Sequence, residues 1–171
     1  PVLFSHRHHA GELRIDCRFC HTTVETSANA GLPSTQTCLT CHSQLFRDEP
    51  MLRPVMISAE QNKPLVWTRV ATLPDHVHFN HSIHIAKGIA CVSCHGDVTT
   101  MALTAKAHEL TMRECLDCHR NPELHQVQAA KVFSSRPLSL SSDAGTMVTT
   151  EAAAFPVIHH APLTNCSTCH H

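Results

Sequence analysis

Apolar residues along this chain of 171 residues come in short runs, and none approaches the ~20 consecutive apolar residues of a membrane-spanning helix. The best strand candidate is Leu65-Val66-Trp67-Thr68-Arg69-Val70. Leu110–Arg120 predicts a short helix, and Glu123–Phe133, opened by Pro122, predicts a second. Between these lie long stretches without period. Ser27–Thr37 contains Gly31 and Pro33 and reads as a turn-rich loop. Residues 50–75 carry Pro50, Pro54, Pro64 and Pro74 but no Cys or His, and read as a connector lying along the surface. Residues 134–154 are rich in Ser and read as a polar linker wrapped over the surface.

So little periodic structure needs another source of cohesion. The chain has 6 Phe, one Trp and no Tyr, an aromatic share of 4%, which is thin for a conventional core. It is rich instead in 10 Cys and 17 His, which suggests bound iron, zinc or haem rather than a catalytic triad. The formal charge of -1 makes no case for nucleic-acid binding.

The ten cysteines fall into five C-x-x-C pairs, and His follows the second Cys each time. The units are Cys17/Cys20/His21, Cys38/Cys41/His42, Cys91/Cys94/His95, Cys115/Cys118/His119 and Cys166/Cys169/His170. C-x-x-C-H is the attachment signature of c-type haem. Two thiols add to the two vinyl groups on one porphyrin edge, and two intervening residues let the chain span them. The following His then reaches under the ring as proximal iron ligand. Zinc sites of four thiolates would use these cysteines two and a half times, leaving an orphan pair. Neither iron–sulfur ligation nor disulfides between neighbouring cysteines would explain the His. With His at about 10% of the chain, five chance placements have odds of roughly one in 10^5.

Five covalent haems leave about 34 residues per haem, too few for a separate core around each. The porphyrins are then the core. The expected fold is mainly α with little regular secondary structure, short helices and long loops wrapped round five haems, and the apoprotein should not fold. The organisation reads as residues 1–49 with sites one and two, the connector 50–75, residues 76–133 with sites three and four, and residues 134–171 with the linker and site five.

Twelve His remain for the distal positions. Phe4-Ser5-His6-Arg7-His8-His9 before Cys17 and Phe79-Asn80-His81-Ser82-Ile83-His84 before Cys91 share one pattern, an F-polar-H-x-x-H entry. Residues i and i+3 share a helix face, yet on a short turn they can serve two haems. His6, His9, His81 and His84 are the expected distal ligands. His159 is expected as the fifth, from Phe155-Pro-Val-Ile-His159-His160 before Cys166, with His160, His108, Met112 and Met101 as further candidates. A Met ligand would raise that haem's potential, although gap-filling is the commoner role for Met. His8, His76, His78, His125 and His171 read as surface or hydrogen-bonded residues.

The F-x-H-x-x-H entry resembles class III multihaem cytochromes c. The run from Trp67-Thr-Arg-Val-Ala-Thr-Leu-Pro-Asp75 through His78-Phe-Asn-His81-Ser-Ile-His84, Cys91-Val-Ser-Cys94-His95-Gly96, Leu110-Thr-Met112 and Cys115-Leu-Asp-Cys118-His119-Arg120-Asn121-Pro122-Glu123 is similar to the pentahaem cytochrome subunit of alternative complex III, a bacterial quinol-oxidising membrane complex. The resemblance spans roughly residues 1–125. It implies a periplasmic electron relay at the membrane surface, between an iron–sulfur subunit and a downstream cytochrome or oxidase, and not an enzyme in its own right. Members of that family usually carry an N-terminal membrane anchor. Pro1 reads as a processed or trimmed start, so membrane association is expected only through partners or an anchor outside this sequence.

Three functions compete on chemistry. Six-coordinate haems have no open position for substrate and make an electron carrier, within a complex or alone. Subunits stacked end to end would make a filament. A multihaem reductase fits least, because it needs a five-coordinate haem. Such enzymes often replace a proximal His by Lys or place Tyr at the site, and this chain does neither. Two propionates per haem would also make the holoprotein more acidic than -1, favouring a basic docking surface on a partner.

Overall fold

The computed structural model describes residues 1–134 and 163–170. Among them the α-helices are α1 (Cys17–Cys20), α2 (Thr35–His42), α3 (Arg53–Glu60), α4 (His81–Ala86), α5 (Val92–His95), α6 (Met112–Arg120) and α7 (Cys166–Cys169). A π-helical turn spans Arg7–Glu12, and 3-10 turns lie at Pro50–Leu52, Val98–Thr100, Pro122–Leu124 and Ala129–Lys131. There are no strands among these residues, only isolated antiparallel bridges of Val77 with His170 and Ile89 with Gln126. The fold is therefore a helix-and-loop multihaem type, as the composition implies.

Each helix bearing part of a C-x-x-C-H unit is too short to be stable alone, and local capping supports several of them. The Asp16 carboxylate accepts from the Arg18 amide at the start of α1, and Ser34 Oγ accepts from the Thr37 amide at the start of α2. At α6 Thr111 and Glu114 form a reciprocal capping box. Within three units the His amide donates to the carbonyl of the first Cys at 2.9 Å, in His21 to Cys17, His95 to Cys91 and His170 to Cys166. One helical turn thus carries both thiols and the imidazole, as attachment to a single flat group requires.

Three expectations change. Leu65–Val70 is not a strand: among the described residues no segment pairs with it, and Trp67 is anchored instead by its indole N–H donating to the Pro33 carbonyl at 3.0 Å. Glu123–Phe133 is not one helix, because the Val127 amide donates to the Gly88 carbonyl and Gln126 bridges Ile89, which pulls the segment out between two short 3-10 turns. The predicted Leu110–Arg120 helix begins only at Met112, since Leu110 lies in the left-handed region at φ 55°. The connector 50–75 also contributes more than surface: α3 carries Val55, 1% exposed, and its Ser58 hydroxyl meets that of Thr35 in α2. Nearly all of the linker 134–154 lies outside the described residues.

The polypeptide core is small. Its buried apolar side chains among the described residues are Val24, Leu52, Val55, Ala90 and Val132. Apolar side chains within the attachment units and the His-rich turns stay open, notably Phe19 between Cys17 and Cys20, and Ile83 between His81 and His84. Such surface is what a porphyrin face would cover.

The two halves of the chain meet closely. The Arg7 amide donates to the Met101 carbonyl at 2.9 Å, and a Cβ added at Gly11 would run into the Thr99 carbonyl oxygen. Backbone cannot yield as a side-chain tip can. Gly11→Ala is therefore expected to destabilise the holoprotein by about 1–3 kcal/mol, measured as a lower denaturation midpoint with the haem absorbance as probe.

Candidate functional site

The two F-polar-H-x-x-H entries adopt the same local geometry. Phe4 meets His6 edge-on, with ring centres 4.9 Å apart, and stacks on His9 at 4.4 Å. Phe79 does the same with His81 at 4.7 Å and His84 at 4.6 Å. The second His of each pair donates through Nδ1 to the carbonyl four residues back, His9 to Ser5 at 2.9 Å and His84 to Asn80 at 2.8 Å. The phenyl ring thus separates the two imidazoles of one turn, and each faces a different partner.

Those partners are the histidines of the C-x-x-C-H units. His6 faces His21 with ring centres 6.5 Å apart and planes within 2° of parallel. His81 faces His95 at 6.4 Å and 5°. His84 faces His119 at 6.1 Å, and His9 faces His42 at 6.1 Å with planes 65° apart. Two metal–imidazole bonds of about 2 Å, plus roughly 1 Å from each ligating nitrogen to its ring centre, put imidazoles on opposite sides of one metal about 6 Å apart. Four observed separations have that value, so these residues fit a haem iron held between two imidazoles.

The fifth unit has a partner that the sequence does not indicate. His170 faces His76, ring centres 5.5 Å apart and planes 20° from parallel. His76 is exposed, as a surface residue would be, yet its ring faces a unit histidine. Backbone pairing brings it in: the His78 amide donates to the Cys169 carbonyl at 2.7 Å, and Val77 bridges His170. His76 lies outside both F-x-H-x-x-H entries, so no local signal marks it. His159 and His160, together with His171, lie outside the described residues.

His108, His8 and the two methionines have different surroundings. His108 lies 3.8 Å from the Glu114 carboxylate, and His8 pairs with Glu12 at 2.9 Å. Met112 is 58% exposed at the start of α6, while the Met101 methyl would lie 3.7 Å from a Cβ at Gly96. No C-x-x-C-H histidine is paired with either Met among the ring and hydrogen-bond contacts of the described residues.

A ligating imidazole needs one nitrogen free and the other fixed. Besides His9 and His84, His21 Nδ1 meets the Gly31 carbonyl at 2.7 Å, His42 Nδ1 that of Leu45 at 3.0 Å, His81 Nδ1 that of Ala28 at 2.8 Å and His119 Nδ1 that of Leu163 at 2.9 Å. A carbonyl can only accept, so each of these rings carries its proton on Nδ1 and presents Nε2 as a lone pair. His6 Nδ1 meets the Thr104 hydroxyl at 2.8 Å. Burial also holds His6, His84 and His95 below the ordinary His pKa, which favours the neutral, ligating form.

All ten cysteines are unpaired by disulfides. Burial pushes the Cys20, Cys38, Cys94, Cys115 and Cys118 thiols up. The neighbouring Cys91 thiol lowers the Cys17 thiol to about 7, and Cys17 in turn raises that of Cys91. Among the described residues no three of His, Cys, Asp and Glu converge on one metal position, as closed zinc or iron–sulfur sites demand. The imidazoles meet in pairs instead. No described helix is long and apolar enough to cross a membrane.

No protein-family model matches the chain. Over 142 residues it is 32% identical to the multihaem cytochrome c subunit of menaquinone reductase from Nitratidesulfovibrio vulgaris, an alignment covering 71% of this chain and 68% of that protein. Likeness of that extent, on a chain built of repeated haem-attachment units, makes it a member of the multihaem cytochrome c family, an electron-transfer protein with covalently bound c-type haems.

Proposed function

We propose that the chain holds five c-type haems, each between two histidines, and relays electrons as the extracytoplasmic subunit of a quinone-linked membrane complex. The observation that carries this reading is the pairing of every C-x-x-C-H histidine with a second imidazole near 6 Å: His21 with His6, His42 with His9, His95 with His81, His119 with His84, and His170 with His76. Haem iron bound in this way supplies reversible one-electron transfer without an open position for substrate. The polypeptide contributes the rest. Its thiols would anchor the porphyrin, and its backbone carbonyls fix the proton of His9, His21, His42, His81, His84 and His119 on Nδ1. Carbonyl acceptors on Nδ1 raise imidazole basicity, and so favour the oxidised iron.

The quinone link rests on the relative, a subunit of a menaquinone reductase, and on the resemblance of Trp67–Glu123 to the cytochrome subunit of alternative complex III. Both support a position beside a quinone-reactive assembly, and we take an iron–sulfur subunit and a further cytochrome or oxidase as its partners. Direction distinguishes the two complexes: adding a menaquinol to the purified complex should reduce the haems in an assembly of the quinol-oxidising type.

The haem number and ligation are tested on the purified holoprotein. Intact mass should show five haem additions, and the resting ferric protein should be low-spin throughout. Fewer than five additions, or a substantial high-spin fraction, would overturn the reading and favour a reductase with an open haem.

A further inference from the structure

We infer that the five attachment units follow one another through the fold in the order two, one, three, four, five, and that the two halves of the chain join at units one and three. This rests on the reading of each unit as a haem site. Chain order would instead join unit two to unit three.

Units one and two are neighbours because His6 and His9 stand on one turn, on either side of Phe4, and face His21 and His42. Units three and four are neighbours for the same reason, through His81, His84 and Phe79. Several contacts join unit one to unit three. The Cys17 thiol lies 3.9 Å from the Phe133 carbonyl, while the Cys91 amide donates to the adjacent Val132 carbonyl. The loop following His21 supplies the Ala28 carbonyl that orients His81 and the Ser27 carbonyl that accepts from the Ser82 amide. The segment after His95 makes the reciprocal contacts, with Thr104 meeting His6 and Met101 accepting from Arg7. Units four and five meet where the Leu163 carbonyl accepts a hydrogen bond from His119 Nδ1, and His76, the partner of His170, precedes His81 by five residues. Unit two packs on α3.

The exposure of the thiols follows the same order. Cys41 of unit two and Cys166 of unit five are exposed, and the other eight cysteines are half-buried. Units two and five are then the ends of the series, where partners engage.

The test uses paired distal substitutions in the full holoprotein, because a Met ligand raises the potential of the haem it serves and so marks it. His6→Met with His81→Met marks units one and three, and His9→Met with His81→Met marks units two and three. Neighbouring sites repel each other's added charge more than distant ones. The two marked reduction waves should therefore separate at least about twofold more in the first pair than in the second. A larger separation in the second pair overturns the order. If a variant fails to mature, iron positions in a crystal structure or cryo-electron-microscopy map of the unaltered holoprotein decide: unit two must lie beside unit one and remote from unit three. Fewer than five irons would defeat the haem reading itself, whereas five irons in another sequence would defeat only the order.

Discussion

Made in a compartment without haem-attachment machinery, or with the thiols of all five units changed to Ala, the chain stays unfolded. Circular dichroism should show only a small helical signal, and denaturant should give no cooperative transition. Val24, Leu52, Val55, Ala90 and Val132 are the buried apolar side chains among the described residues. Five aliphatic side chains cannot offset the conformational entropy of ordering a domain of this length. The helices add little of their own, since α6, with nine residues, is shorter than an isolated helix needs to be. Nor can the sheet-like contacts help, being two single bridges among the described residues. The loops that carry Ala28, Gly31, Leu45 and Leu163 have their carbonyls committed to imidazoles. Those bonds gain their full value only when the other nitrogen is ligated. A cooperative transition in the haem-free chain would refute a porphyrin core. Adding haems back one unit at a time should restore structure in proportion.

His76→Ala turns one haem in five high-spin and leaves the other four low-spin. The lost ligand belongs to unit five alone, because His76 faces His170 and none of the other four unit histidines. His159→Ala and His160→Ala should leave the ferric spectrum unchanged. The reverse outcome, with His76→Ala silent and His159→Ala high-spin, would transfer the ligand to the residue favoured by sequence spacing. His76→Met should keep that haem six-coordinate and raise its potential selectively. A merely structural role for His76 would instead perturb unit three or four as well, since His81 and His84 follow on the same stretch.

Much of the site was legible without coordinates, and the reason is chemical. Both thiols and the proximal His must sit on one turn, so their spacing is rigid and survives as C-x-x-C-H. The same holds for His6/His9 and His81/His84, where a Phe and two imidazoles share one turn and leave a repeating local signature. Elements fared less well. Leu65–Val70 has the composition of a strand but no segment pairing with it among the described residues, and its Trp67 is held by Pro33 from another part of the chain. Glu123–Phe133 has helical composition, yet Gly88 and Ile89 draw its middle into backbone pairing.

The sequence by itself determined the five C-x-x-C-H units and, with them, the multihaem cytochrome c family, because each unit depends on residues only a few positions apart along the chain. Tertiary structure decided which entry imidazole faces which unit histidine, and that His76 meets His170. Those facts depend on backbone contacts between distant segments, such as His78 with Cys169 and Ala28 with His81. An imidazole reaches its partner through space, and nothing in its own neighbourhood along the chain records which partner that is.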